Sequence, residues 1–237
     1  MYFEKYTVLS TDVDFNSEIR LSTLMRYMQE VATNHANKLH FGRDDLQKDN
    51  NIWVVVRTDI QIKRLPKVDE EILIFTHPGE TKSFMYPRYL KVTDKHKNLL
   101  VSVSSIWVVV NYDTRKIILH PFADKKLPSE IDKDDIPLPE KVSGEALDLV
   151  DDRKARYSEI DINGHINNTH YLDYVLDIHN LDFYKKHQVS RVLLNYEKEV
   201  HNDDMMKIYS DNNNPEVIIG KINDQTSFLA KVEFKER

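Results

Sequence analysis

The same order of elements runs twice along this chain of 237 residues, and that internal repeat limits the fold more than any single motif does. Leu21 to His40 carries Leu21, Leu24, Met25, Met28, Val31, Ala32, His35, Ala36 and Leu39 at three- and four-residue steps. That spacing predicts one long amphipathic helix, with Gly42 as its stop. Runs rich in Val, Ile, Tyr and Trp follow at Trp53 to Ile62, Glu71 to Thr76, Met85 to Thr93 and Leu99 to Asn111, with turn-forming stretches between them. A helix ahead of an antiparallel meander is an α+β unit. The pattern then restarts. Ile166 to Lys185 predicts a shorter helix with Tyr171, Leu172, Val175 and Ile178 inward, followed by strands at Val189 to Val200, Met205 to Ser210, Glu216 to Ile222 and Ser227 to Phe234. A shift of 147 residues lays Asp14-Phe15-Asn16-Ser17-Glu18 on Asp161-Ile162-Asn163-Gly164-His165, and a shift of 134 lays Asp69-Glu70 on Asp203-Asp204.

Between the copies, Pro121 to about Glu145 holds Pro121, Pro128, Pro137 and Pro139 among Asp, Lys and Glu, which predicts a surface linker. The expected organisation is therefore an N-terminal repeat over 1–122, a linker over 123–146 and a C-terminal repeat over 147–237.

Composition removes several classes of chemistry. There are no cysteines, so disulfides, a thiolate nucleophile and cysteine-bound zinc are excluded, and a reducing compartment is expected. The net charge of −6 argues against a nucleic-acid binder. No apolar run approaches the roughly 20 residues a membrane-spanning helix needs, and Met1-Tyr2-Phe3-Glu4-Lys5 does not open a signal peptide, so a cytoplasmic protein is expected. With 5 glycines in all, neither a dinucleotide fingerprint nor a P-loop is present. His165 and His170 lie five apart, which does not suit a metal pair on one helical face, and the other histidines show no ligand spacing. Neither a metal nor any other cofactor is expected.

The difference between the copies singles out a site. Both carry Asp-x-Asn ahead of the helix, but only the second has a histidine two residues on, where the first has Glu18. His165 can exchange a proton near neutral pH. Asn163 can donate to an oxyanion or hold a water. Asp161 can orient His165, act as a base or attack directly. In an extended segment the three fall on one side, ahead of helix N–H groups near Asn167 and Asn168 that favour negative charge. Taken alone, the same residues also suit a turn and a helix cap.

The run Asp161-Ile162-Asn163-Gly164-His165-Ile166-Asn167-Asn168-Thr169-His170-Tyr171 resembles the Asp-x-Asn-x-His-x-Asn-Asn-x-x-Tyr signature of acyl-ACP thioesterases. Leu194-Asn195-Tyr196-Glu197-Lys198-Glu199-Val200 is similar to that family's Tyr-x-x-Glu strand, and Trp53-Val54-Val55-Val56-Arg57 and Ile62-Lys63-Arg64-Leu65-Pro66-Lys67 match its first repeat. The resemblance implies two tandem hotdog repeats, each a long helix wrapped by an antiparallel sheet. It implies hydrolysis of the thioester between a fatty acyl chain and acyl carrier protein, in fatty acid biosynthesis, with catalytic positions Asp161, Asn163, His165 and Glu199. Plant members often carry a cysteine after the glutamate; Val200 stands there in this chain, so a cysteine mechanism is closed to it. Water activated by Glu199 or Asp161, and direct attack by Asp161, both remain open.

The same resemblance gives the acyl chain to the first repeat, with Met25, Met28, Val31, Trp53, Val55, Phe84, Met85 and Tyr86 as candidate pocket residues. Each is equally what core packing would use. The acidic carrier protein would need a basic cluster, for which Lys63, Arg64, Lys67, Arg88 and Lys91 are candidates. An acyl-CoA thioesterase and a non-catalytic acyl-binding or sensing protein are the rival readings. The sequence leaves a homodimer open.

Overall fold

The computed structural model describes residues 1–122, 127–145, 148–211 and 214–237. The proposed boundaries at 122/123 and 146/147 therefore touch residues outside the described ones. The chain divides into two compact units, Met1–Arg20 with Leu24–Pro139, and Leu21–Thr23 with Glu140–Arg237.

The first unit holds β1 (Tyr2–Thr7), α1 (Leu21–Lys38), α2 (Arg43–Gln47), β2 (Asn51–Ile62), β3 (Glu71–Pro78), β4 (Tyr86–Asp94) and β5 (Leu99–Asn111). Its strands lie in the order β1-β3-β4-β5-β2, with each neighbouring pair antiparallel. Met28 and Val31 of α1 are fully buried, as are Ile60, Ile72, Ile74 and Val92 of the sheet. Burial of side chains of this size stabilises by about 1.5–3 kcal/mol each. The inward row of β1 is partly polar. Glu4 accepts hydrogen bonds from Tyr2 (2.5 Å), Tyr6 (2.9 Å) and Asn34 of α1 (3.0 Å), and Tyr2 and Tyr6 stack on His35 and Tyr27.

Gly42 does not stop α1. The left-handed residue is His40 at φ 60°, and the Phe41 N–H closes back on Ala36 O at 3.0 Å. Gly42 instead precedes α2, where a Cβ would sit 1.8 Å from Asn37 Oδ1. Residues 127–139, predicted as a loose surface linker, are tied to the first unit. Lys91 bonds Asp132 (2.6 Å) and Asp134 (2.8 Å), His77 bonds Asp135 (3.0 Å), and Ser104 donates to Pro137 O (2.7 Å).

The second unit holds β6 (Asp148–Lys154), a 3-10 turn at Tyr157–Glu159, α3 (His170–Leu176), α4 (Leu181–Lys186), β7 (His187–Tyr196), β8 (Met205–Asp211), β9 (Asn214–Ile222) and β10 (Gln225–Glu236). Its strand order is β6-β8-β9-β10-β7, again antiparallel throughout. Matching β1 to β6, β2 to β7 and so on reproduces the order of the first sheet. Tyr171, Leu172, Tyr174 and Val175 form the buried face of α3. Opposite them lie Leu194, Met206, Ile208 and Phe228, each no more than 1% exposed.

The single helix expected over Ile166 to Lys185 is two helices. The chain leaves α3 at Asp177, and the Asn180 carboxamide caps α4 by accepting the Phe183 N–H at 2.9 Å.

Candidate active site

The loop Asp161 to His165 is a closed hydrogen-bonded turn. Asp161 N–H donates to His165 O (2.8 Å), and Gly164 N–H donates to Asp161 O (3.0 Å). The Asp161 carboxylate accepts the Asn163 N–H at 2.7 Å and faces the His165 N–H at 3.5 Å, while Asn163 Nδ2 reaches its other oxygen at 3.3 Å. Gly164 takes φ 84°, a conformation costly for a side-chain-bearing residue. Asp161 and Asn163 are half-buried and His165 is buried, whereas Ile162 and Gly164 are exposed, so the three polar side chains share one side.

The first unit contains the same loop. Asp14 N–H donates to Glu18 O (2.8 Å), Ser17 N–H to Asp14 O (3.0 Å), and the Asp14 carboxylate accepts from Asn16 N–H (2.8 Å) and Glu18 N–H (3.2 Å). Ser17 takes φ 60° where Gly164 takes its own positive angle. The bridges repeat as well: Val13 with Ile19 and Glu18 with Lys67 in one copy, Ile160 with Ile166 and His165 with His201 in the other. Asp14 and Asp161 therefore do the same structural work, ordering a turn through backbone N–H groups.

What differs is the side chains carried on this shared frame. Applying the two shifts, His165, Glu199 and His201 stand where the first copy has Glu18, Leu65 and Lys67. Ile166 N–H donates to Val200 O at 2.8 Å, which brings the segment after β7 alongside the loop. His165 Nε2 then lies 3.2 Å from Glu199 Oε2, with the Glu199 side chain 34% exposed and open to water. His201 packs edge-on against His165 at 4.7 Å between ring centroids.

Behind them sits Tyr171 of α3, edge-to-face with Tyr196 and Phe228 at 5.5 and 5.1 Å. Burial pushes its hydroxyl up to about 12 and the charges of Glu199 and Asp161 add to this, against a hydrogen bond with Ser227 that lowers it. Tyr171 is thus a neutral hydroxyl beside the carboxylates at neutral pH. Neither His201 nor Tyr171 was singled out as a site residue from sequence. Their signal lay in strand register and helix position, not in spacing along the chain.

Of the backbone N–H groups expected near Asn167 and Asn168 to favour an anion, that of Asn167 is already taken. Asn167 N–H donates to Glu159 O (2.8 Å), its Oδ1 accepts from the Thr169 N–H and hydroxyl, and α3 begins only at His170. A shallow cleft of 610 Å³ in this unit is lined by Lys141, Val142, Glu197, Lys198, Gln225 and their neighbours, and none of Asp161, Asn163, His165 or Glu199 lines it.

The candidate pocket residues of the first unit separate into groups. Met25, Met28 and Val31 are buried on α1, and Val55 is buried on β2. Trp53 and Tyr86 meet edge-on at 5.1 Å in a cluster with Leu46 and Val109. Phe84 packs instead with Ile52, Val108 and Val110, which alternation along β5 places on the opposite face from Val109. Met85 is half-buried and bridges Lys82 through its backbone. The expected basic cluster is also reduced. Arg64 is bound bidentate by Glu70 (2.6 and 2.8 Å), Lys91 by the two aspartates named above, and Arg88 points to Thr76 Oγ1 (3.2 Å) and His35 Nδ1 (3.4 Å).

Two family models match the chain, described as acyl-ACP thioesterase N-terminal domain over residues 1–121 and acyl-ACP thioesterase C-terminal domain over residues 145–235. The chain is similar to the chloroplastic palmitoyl-acyl carrier protein thioesterase of Gossypium hirsutum, 25% identical over 251 residues that span 95% of this chain and 59% of that protein. It is similar to the chloroplastic oleoyl-acyl carrier protein thioesterase 2 of Arabidopsis thaliana, 25% identical over 241 residues, covering 93% and 65%. The chain thus spans about six-tenths of the length of these curated relatives. Among solved structures, an acyl-ACP thioesterase from Bacteroides thetaiotaomicron superposes with a TM-score of 0.86 at 26% identity, covering 98% of this chain and 97% of that one. The 12:0-ACP thioesterase from Umbellularia californica shares the fold with a TM-score of 0.81 at 20% identity, covering 100% and 97%. These likenesses and the repeated topology give an α+β fold of two tandem hotdog repeats.

Proposed function

The chain belongs to the acyl-ACP thioesterase family, and from that premise we propose that it hydrolyses fatty acyl-acyl carrier protein, releasing the fatty acid and the carrier thiol. The observation that carries this reading is the His165–Glu199 pair at 3.2 Å, mounted on a loop whose duplicate has Glu18 and Leu65 instead.

In the mechanism we favour, water attacks the thioester carbonyl carbon as the Glu199 carboxylate takes its proton. His165, with a proton on Nε2, donates to Glu199 and fixes its orientation. The second N–H of the Asn163 carboxamide, beyond the one directed at Asp161, serves the oxyanion that forms. Collapse breaks the C–S bond, and the proton held at Glu199 passes to the leaving sulfur. Attack by Asp161 is disfavoured because its carboxylate orders the turn, as the carboxylate of Asp14 does in the other copy. Single-turnover hydrolysis in oxygen-18 water should leave Asp161 unlabelled, as read by mass spectrometry of its peptide. Label in that carboxylate would establish covalent attack instead.

The reaction fits fatty acid biosynthesis, at the step that frees a finished chain from its carrier, and cysteine-free composition is compatible with a reducing cytoplasm. A panel of acyl carrier protein substrates of graded chain length, scored for free acid, tests the function. We expect release by the wild type and none above background by His165→Ala. A higher kcat/KM on acyl-CoA would move the assignment to that substrate, and binding of acyl chains without release would make the protein a sensor.

A further inference from the structure

We propose that His165, Glu199 and His201 form a binding site for a divalent transition metal of the Zn²⁺ class, and that metal held there blocks hydrolysis. Among the described residues, theirs is the one set of three such side chains whose ligand atoms all lie within 4.8 Å of one another. Two ligands of a tetrahedral zinc, each about 2.0–2.1 Å from the ion, are about 3.3 Å apart. The His165 Nε2 to Glu199 Oε2 separation is 3.2 Å. The donor set, two imidazoles and one carboxylate, suits zinc, cobalt or nickel and does not suit magnesium or calcium, which prefer oxygen shells.

The backbone holds this arrangement. His165 and His201 are paired by an antiparallel bridge, and Ile166 N–H bonds Val200 O at 2.8 Å, which locks the register between the two segments. Asp204 stands behind His201. It accepts the His201 N–H at 2.8 Å, and its carboxylate lies 3.7 Å from His201 Nδ1, close enough to orient the ring through that nitrogen while Nε2 binds an ion. The His201 side chain is 61% exposed, so its ring can turn the remaining distance without disturbing the core. The open side leaves a fourth position for water. In the first copy Glu18, Leu65 and Lys67 occupy these places, a set with one ligand and one repelling cation.

Blockage rests on the reading that His165 and Glu199 act in hydrolysis, because an ion bound to both removes the base and its partner together. Binding itself does not depend on that reading, so it is measured separately. Chelator-treated protein is titrated with Zn²⁺ by calorimetry and with Co²⁺ by visible absorption, in wild type, His201→Ala and His201→Asn, with Mg²⁺ as control. The expected result is one Zn²⁺ per chain, a Co²⁺ spectrum of low coordination number, and affinity at least about tenfold weaker in both variants. Hydrolysis should fall with the same concentration dependence as binding, recover on adding EDTA, and, measured against each protein's own metal-free rate, resist Zn²⁺ in His201→Ala and His201→Asn. No saturable binding, binding unchanged in both His201 variants, or hydrolysis that persists with one equivalent bound would each overturn the proposal. If binding follows the expected pattern while no variant or condition shows hydrolysis, the metal site stands and the enzymatic reading is what fails.

Discussion

At the residue scale, Asp161 and Asp14 separate what a side chain does for folding from what it does for chemistry. Both accept the N–H two residues on, at 2.7 and 2.8 Å, so Asp14→Ala and Asp161→Ala should each lower stability by about 1 kcal/mol, the usual worth of such a side-chain acceptor. Chemical denaturation measures this, and Asp14→Ala should keep its turnover per folded molecule. By contrast, Glu199→Gln should leave the denaturation midpoint almost unmoved and reduce kcat by about a hundred- to ten-thousand-fold. Asp161, Asn163 and His165 stand out in the sequence as one short stretch that differs between the copies, whereas Glu199 enters only through the family signature. His201 does neither, since its closeness to His165 comes from a bridge between segments far apart in the chain. A titrating residue outside the site yields a further test. His35 is buried, and burial, with the nearby Arg88 charge adding to it, lowers its pKa to about 4. The neutral form is therefore favoured in the fold, and the unfolded chain takes up the proton first. The associated stability is complete above about pH 6.5 and is lost as pH falls toward 4, on the order of 3 kcal/mol at most. Urea midpoints between pH 7 and pH 4.5 should drop more steeply in wild type than in His35→Gln.

Elements were legible where apolar periodicity was strong and obscure where polar contacts decide. β2 and β5 follow their Val-rich runs closely, because those strands are buried along most of their length. β1 escaped detection because Glu4 occupies an inward position, made tolerable by two tyrosine hydroxyls and Asn34. β6 escaped for a different reason, an edge strand whose Leu149 and Val150 are exposed beside Asp151 and Asp152. The second helix was overextended in both directions, since Tyr171, Leu172, Val175 and Ile178 fit one helical stripe and nothing in that stripe reveals the break. Asn180 makes the break by capping α4, and Asn180→Ala should cost about 1 kcal/mol in thermal or chemical denaturation. Gly220 carries a sharper constraint. It pairs with Phe228 across β9 and β10, and a Cβ there would stand 2.1 Å from the Phe228 ring. Gly220→Ala should displace Phe228 against Tyr171 and destabilise by about 1–3 kcal/mol, read by chemical denaturation.

Over the whole molecule, each copy lays out five antiparallel strands in the same order; the repetition was readable from the matched succession of helix and strands, but the order departs from the expected meander, because β2 pairs with β5 and not with β3. The acidic stretch after the first sheet was not readable, because its partners are scattered polar groups on strands already formed. Lys91→Met should release residues 127–139 from the first unit, raising the rate of limited proteolysis within them with little change in the core. The duplicated loop has one more use. Asp14 to Glu18 shares its hydrogen bonds with Asp161 to His165 but carries Glu18 where the other copy has His165, and Leu65 where it has Glu199, so the chain contains its own internal standard. A probe placed at Ser17 and another at Gly164 would experience like backbones under identical solvent, temperature and ionic strength. Their difference on adding substrate or metal would then report the chemistry alone, with the mechanical response of the turn subtracted.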